Sequence, residues 1–498
     1  MTDSLGSSSM TEFTTETFAA EHERIGAMVT ELVAGYMRSL DAAPVCSGAS
    51  PAELLALFDG PLPEEGADVE QLLQAIAGDV IPHTMNISSP RYFGLFNPAP
   101  LPIAVWVDAL CSAINQNSAA WRQSPSASAL EACVIRWLCG LIGHREGGFG
   151  TLTSGGSEAN LIALKCARDA AAARASAHGL SGESGSLRVY ASEQCHFSLV
   201  KAVDILGIGR INLRKIDTDD RFRIRVDALR EAIEEDLTAG YQPCCLVGVA
   251  GATSTGAIDP LDELARTAED YGLWYHVDAA YGGAMMFSPA HRGALRGIER
   301  ADSVTLDPHK WMFVPFSCGA MLARDGVRVL RDAFDTTPEY LGDDSALDFF
   351  RYGQLGTRRA NALKLWAALR RLGRNGYREI IERQLSLTRY LSSVLAGLDD
   401  FEVVGDVQTA VCCVRFMPGG VTGVHDDDLQ DALQQRIERG GQAWLSTTVL
   451  HGRRALRINV NSVLTQREHI DELITLLRHE GRTVVAELRA SRASWDAP

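Results

Sequence analysis

In the run DSVTLDPHKWMFVPFSCGA, Lys310 follows His309, and Trp311 then opens an apolar segment. An ammonium group where a strand end meets a core costs free energy unless it finds a partner or loses its proton. A desolvated lysine amine is also a good nucleophile towards carbonyl carbon, the chemistry of Schiff-base formation. Taken alone, Lys310 reads more simply as a strand-end residue whose head reaches solvent. Three other segments change that balance.

The first is YHVDAAYGG, residues 275–283. Trp274, Tyr275 and Val277 are strand formers, and Ala279, Ala280, Gly282 and Gly283 leave room for something flat. Asp278 falls near the carboxyl end of that strand, where ligands gather in parallel α/β sheets. It either caps the next turn or keeps a pyridine nitrogen protonated. His276 shares its face of the strand, but no third ligand stands at a suitable spacing, so no metal site is expected.

The second is GTLTSGGSEAN, from Gly150, a Gly/Ser/Thr-rich turn into an alanine-rich helix. Exposed N–H groups and a helix N-terminus favour an anion. Ser154, Gly155, Gly156 and Ser157 therefore form a cradle for one small phosphate, or an N-cap with nothing bound. No nucleotide-type glycine pattern is present. The third is VYASEQCHFSLVKAVDILGIG, where His196 follows a short strand and opens an amphipathic helix. Such a histidine is a satisfied surface or core residue, or a flat ring stacked on another.

A phosphate cradle, a stacking histidine, a carboxylate for a ring nitrogen and a Schiff-base lysine are what pyridoxal phosphate needs. Their order, and the motifs TSGGSEAN, HVDAAYGG and DPHKW, resemble the group II pyridoxal-phosphate decarboxylases. That family holds aromatic amino acid, glutamate, histidine and cysteine-sulfinate decarboxylases, and the resemblance runs from about Pro51 to the C-terminus. It implies the fold-type I architecture: a large α/β domain with a mainly parallel seven-stranded sheet, a smaller C-terminal α+β domain and an N-terminal helical segment. It also implies a homodimer with active sites at the subunit interface.

The resemblance carries roles onto this chain residue by residue. Lys310 would hold the cofactor covalently, Asp278 would face its ring nitrogen, and His196 and Ala280 would lie on opposite faces of the ring. Thr253 would stand near the phenolic oxygen, and Gly156, Ser157 and His309 at the phosphate. Tyr340, in TTPEYLG, would deliver a proton to Cα from a loop that closes over the site. Members with phenylalanine there make aldehydes. Phe96 and Asn97 would border the substrate, and Arg457, in RRALRINVNS, would meet its carboxylate. Asp307 stands where some members carry asparagine, and a carboxylate beside a phosphate dianion would be repelled, so it is assigned no direct contact.

The implied reaction is decarboxylation of an L-amino acid to its amine. Phe96, Pro98, Pro100 and Trp121 point to an aromatic or branched apolar substrate. An acidic substrate served by Arg91, Gln116 or Arg122 is the alternative within the class. Oxidative aldehyde synthesis, carbon–sulfur cleavage and transamination are further alternatives on the same fold. A cofactor-binding regulator without catalysis is a different class, and the acidic N-terminus, with no basic DNA-reading segment, argues against it.

The elements that must position these residues follow from composition and pattern. A chain of 498 residues, 46% hydrophobic, can bury a large core. A net charge of −16, spread along the chain, disfavours nucleic acid and anionic membrane as partners. No run of about 18 apolar residues reads as a membrane span. The opening MTDSLGSSSMTEFTTETF lacks a signal-peptide pattern. Eleven cysteines without C-x-x-C read as reduced thiols, hence a cytoplasmic protein.

Residues 1–15 are polar and expected to be disordered, and Thr17 to Leu40 carries a helical apolar stripe. From Gly150 to Arg324 strands alternate with helices, with strands at Leu187–Ala191, Ile211–Arg214, Cys245–Ala250, Leu273–Val277, Ser303–Leu306 and Gly319–Leu322. Arg328 to Phe350 reads as a mobile polar loop. Helices at Ala360–Leu372 and Tyr377–Leu398, then strands and helices to the end, form the C-terminal α+β part. The expected division is 1–95, 96–360 and 361–498.

Overall fold

The computed structural model describes residues 14–144, 146–180, 186–336, 347–419 and 426–495. The expected disorder of residues 1–15 falls almost wholly outside that set. The helix after it runs Thr15–Ser39, started by a capping box between Thr14 and Thr17.

Among the described residues, twelve strands form two sheets. In chain order they are β1 (Tyr92–Phe93), β2 (Phe149–Thr153), β3 (Leu187–Ser192), β4 (Leu213–Ile216), β5 (Gln242–Val249) and β6 (Trp274–Asp278). There follow β7 (Ser303–Leu306), β8 (Gly319–Ala323), β9 (Phe401–Val404), β10 (Val411–Phe416), β11 (Trp444–Leu450) and β12 (Arg453–Asn459). The seven-stranded sheet has the order β2-β8-β7-β6-β5-β3-β4. Strands β3 to β7 pair in parallel, and β8 is antiparallel to both β7 and β2. Register places Val249 opposite Asp278, and Asp278 opposite Thr305. Three strand ends therefore share one carboxyl edge, the place where such sheets bind ligands.

Strand β7 has the expected bounds. Strand β4 lies two residues later than expected, because Arg210–Asn212 forms a 3-10 turn. Burial explains the shift: Leu213 and Ile216 are buried, whereas Ile211 is 86% exposed. Strand β2 was not expected; its Gly150 crosses β8 so closely that a Cβ would meet the Met321 carbonyl oxygen at 2.2 Å.

The smaller sheet has the order β1-β11-β12-β10-β9. Strand β1 joins it in parallel, Tyr92 opposite Trp444, so a segment from the expected N-terminal part completes the C-terminal sheet. The long helix Ala362–Ala396 contains one break, at Gly373 with φ 59 and ψ −176, between the two helices expected there. Only glycine adopts that conformation without strain.

The expected loop from Arg328 to Phe350 is corrected at both ends. Gly326–Phe334 is a helix that buries Val329 and Leu330, and Phe349–Tyr352 is a 3-10 turn with Phe349 fully buried. A few apolar residues at the right spacing outweighed a polar average. Residues 337–346 lie outside the described set.

One described helix, Pro125–Ile142, is long and apolar enough to cross a membrane. Half of it is buried here, with Val134, Ile135, Leu138 and Ile142 in the main core, so it behaves as a core helix. By contrast, the helices Thr15–Ser39, Pro51–Phe58 and Val69–Ala75 contain no buried residue.

Candidate active site

A cavity of about 360 Å³ opens at the carboxyl edge of β5, β6 and β7. It is lined by Ser154, Gly155, Gly156, Ser157, His196, Thr253, Asp278, Ala280, His309 and Lys310, with Phe96, Asn160, Val249, Gly251, Tyr281 and Asp307.

Lys310 stands on the turn that leaves β7, its N–H donating to the Asp307 carbonyl at 2.9 Å. Its Nζ pairs with Asp307 Oδ2 at 2.9 Å, and its side chain is 21% exposed. The charge is thus placed by a carboxylate that the sequence reading kept away from direct chemistry. His309 accepts the Cys318 N–H at Nδ1 (3.0 Å), which leaves its proton on Nε2, 3.6 Å from Asp307 Oδ2. Burial lowers the His309 pKa, so the ring is neutral.

The cradle is built by absence of side chains. A Cβ on Gly155 would come 3.0 Å from His309 Cε1, and one on Gly156 would come 2.8 Å from Asp307 Oδ2. Gly156 begins the helix Gly156–Ala171, which has no side-chain cap, and its first amides have no intrahelical partner. Ser157 is exposed at the rim of the cavity.

Asp278 is 7% exposed. Its Oδ1 accepts the Ala280 N–H at 3.2 Å and its Oδ2 accepts from Asn160 Nδ2 at 2.9 Å. His196 is the N-cap of the helix Phe197–Ile205, its Nδ1 accepting the Ser198 N–H at 3.3 Å and lying 2.8 Å from Ser198 Oγ. Burial lowers its pKa, outweighing the opposing influence of Asp278.

A wall of rings closes one side. Phe96 stacks on Tyr281 with centroids 3.6 Å apart, and Tyr281 stacks on Trp311 at 4.7 Å. The Arg457 guanidinium lies 4.8 Å from the Phe96 centroid and is 2% exposed. It donates through Nε to the Thr253 carbonyl and through Nη1 to the Gly94 carbonyl, and Nη2 has no hydrogen-bond partner among the described residues. Burial lowers its pKa.

Several expected residues stand elsewhere. Asn97 is half-exposed and does not line the cavity. Of Phe96, Pro98, Pro100 and Trp121, only Phe96 does. Arg91 is held by Asp41 and Glu472, at 2.7 and 2.9 Å, Gln116 turns back onto the Ile114 carbonyl, and Arg122 is exposed; none lines the cavity. Tyr340 lies outside the described residues. His276, considered as half of a metal pair, bonds instead to Asn160 Oδ1 at 3.1 Å. No group of three or more metal-binding side chains occurs among the described residues.

Sequence reasoning missed Asn160 and Tyr281. Asn160 sits inside the SEAN motif, four residues after Gly156 and so one helical turn behind the cradle, a spacing that marks the same face.

The arrangement is that of an enzyme working through pyridoxal phosphate. The glycines that leave no room for a Cβ, the uncapped helix start, the buried carboxylate and the lysine at the cavity all fit that group. The model for the pyridoxal-dependent decarboxylase conserved domain matches residues 51–417, and the chain belongs to that family. It is a pyridoxal-phosphate-dependent amino acid decarboxylase.

An aromatic-L-amino-acid decarboxylase of Bacillus atrophaeus is 32% identical, over 92% of this chain and 95% of that protein. A phenylacetaldehyde synthase of Petunia hybrida is 30% identical, over 92% and 94%. The solved structure of Oryza sativa TDC with PLP and tryptamine superposes with a TM-score of 0.89 at 28% identity, covering 94% of this chain and 99% of that one.

Proposed function

We propose that this chain converts an aromatic L-amino acid into its amine and CO2. The observation that carries the reading is the placement of Lys310 Nζ 5.8 Å from the Phe96 centroid, at the edge of the Phe96–Tyr281–Trp311 stack. A flat apolar side chain gains contact area and ring stacking there, whereas an acidic one meets no arginine among the described residues that line the cavity. The aromatic substrates of relatives point the same way.

Bound pyridoxal phosphate supplies an electron sink for the pair left at Cα when CO2 departs. Lys310 would anchor it through Nζ, and Gly156, Ser157 and His309 would hold the phosphate. Asp278 would keep a proton on the ring nitrogen. His196 and Ala280 would bound the ring, and Thr253 would stand by its phenolic oxygen. Arg457 does not line the cavity and its Nη2 is buried without a hydrogen-bond partner among the described residues, so it would meet the substrate carboxylate only after moving towards the cavity. The Tyr340 phenol returns the proton to Cα.

The working unit in this reading is a homodimer. The N-terminal helices bury nothing of their own, and the helix Pro102–Ile114 exposes Ile103, Trp106, Leu110 and Ile114 along one stripe. A second copy would remove that apolar surface from water. Residues 96–360 then form the cofactor domain, 361–498 the small domain and 1–95 an arm across the partner. Eleven free cysteines, seven of them buried with raised pKa between Cys139 and Cys413, suit a reducing cytoplasm.

The test is a product screen by mass spectrometry. Cofactor-loaded protein is incubated with tryptophan, tyrosine, phenylalanine, their hydroxylated derivatives, glutamate, aspartate and cysteine sulfinate. The expected product is an amine lighter than an aromatic parent by CO2. Aldehyde with peroxide, or turnover of acidic substrates only, overturns the reading.

A further inference from the structure

Asn160 is 1% exposed and lies within hydrogen-bond distance of the Asp278, Ser198, His276 and Thr305 side chains. Its polarity is fixed by its neighbours. As a carboxylate, Asp278 only accepts, so the Asn160 atom 2.9 Å from it is the amide nitrogen. Oδ1 then faces Thr305 Oγ1 at 2.7 Å and His276 Nε2 at 3.1 Å, and both must donate. His276 Nδ1 lies 2.9 Å from Ser303 Oγ and 3.1 Å from the Ser303 carbonyl oxygen, and the Ser303 hydroxyl receives the Trp274 Nε1–H at 2.8 Å.

The second hydrogen on Asn160 Nδ2 goes to Ser198 Oγ at 3.0 Å. That directs the Ser198 proton to His196 Nδ1, 2.8 Å away. His196 therefore carries its ring proton on Nε2 and offers the cavity a donor. One carboxamide thus links the carboxylate at the ring nitrogen to the histidine at the ring face.

We propose that Asn160 is a positioning residue that orients the Asp278 carboxylate and, through Ser198, holds His196 as its Nε2–H tautomer. The second half is independent of any bound group. The first rests on the cofactor reading of the cavity, and the two are measured separately.

The tautomer is read by 15N NMR of the cofactor-free protein labelled at histidine, with His196 assigned by loss of its signals in His196→Gln. The wild type shows a bare Nδ1 and a protonated Nε2. In Asn160→Asp an acceptor faces Ser198, its hydroxyl turns away from His196, and the Nδ1–H form appears. Adding Ser198→Ala to that variant removes the reversed hydroxyl and restores Nε2–H through the backbone amide of position 198, a rescue that general damage to the fold would not give.

For the carboxylate half, pyridoxal phosphate is titrated spectroscopically into the protein. Asn160→Ala removes a hydrogen bond to a charged group and raises the dissociation constant roughly tenfold, whereas Ser198→Ala alone leaves it within about twofold. A wild type with Nδ1–H, or Asn160→Asp with Nε2–H unchanged, overturns the tautomer half. Should Asn160→Asp fail to fold, a wild-type spectrum with Nδ1–H still overturns it. Equal cofactor affinity in Asn160→Ala and wild type overturns the other half, whether or not the decarboxylase reading holds.

Discussion

Asp278 and Asp307 face the same cavity from two strand ends and are held in opposite ways. Asp278 is fixed by neutral donors, the Ala280 amide and the Asn160 carboxamide. Neither partner is a group that the chemistry uses. Asp307, 2% exposed, relies on the Lys310 ammonium, and its Oδ1 has no hydrogen-bond partner among the described residues. Its principal partner is the amine that the chemistry uses. The ring end of the site is therefore preorganised by the fold, and the lysine end is held by an ion pair that must open for the cofactor to be anchored.

The largest effect should come from breaking that ion pair. Lys310→Ala abolishes turnover and the visible absorption of bound cofactor, and it strands the Asp307 carboxylate. Removing one partner of a fully buried pair costs several kcal/mol, and with Lys310 partly exposed the loss here should be about 2–3 kcal/mol. Adding Asp307→Asn should return the thermal midpoint towards wild type without restoring activity. Equal melting of the single and double variants would show that Asp307 does not depend on Lys310.

Much of this contrast was legible in the sequence, and the illegible part has physical causes. Lys310, Asp278 and His196 were found because each sits at a strand–loop junction whose glycines or apolar neighbours announce it, and the structure brings all three to one cavity. Strand β7 was legible as a continuous apolar run. Strand β1 was not, because its partner Trp444 lies far along the chain and two residues carry no period. Asn160 was passed over because a sequence gives a side chain's type and the turn it occupies, but not the four groups that surround it. Asp307 was set aside on charge repulsion, an argument that did not include the ammonium three residues on.

The two aspartates should also respond to neutralisation with opposite signs. Asp278→Asn removes the charge that favours a protonated ring nitrogen and weakens cofactor affinity. Asp307→Asn removes a negative charge beside the glycine cradle and frees Lys310. A gain of about 1 kcal/mol, or roughly fivefold tighter binding, is expected from one fewer like charge at such range. Spectroscopic titration of both cofactor-free variants decides the matter, and weakening in both would mean that Asp307 supports the phosphate end.

The smallest effect is one of pH, and it isolates the ring end. Burial lowers the His276 pKa to about 4, so the ring is neutral in the folded protein. Its folded value lies below the ordinary 6.5, so between those limits the unfolded chain binds more protons. The stabilisation is present above pH 6.5 and is lost as pH falls towards 4, at about 1.4 kcal/mol per pH unit for one proton. His144, lowered to about 4 by burial, adds a parallel loss. His276→Gln keeps a donor towards Asn160 and removes the titrating group, so it should reduce the fall in thermal midpoint between pH 7 and 4.5, leaving the shares of His144, His196 and His309. An undiminished fall would mean that the donors around Asp278 tolerate a charged His276, and that the ring end is less rigidly neutral than its hydrogen bonds require.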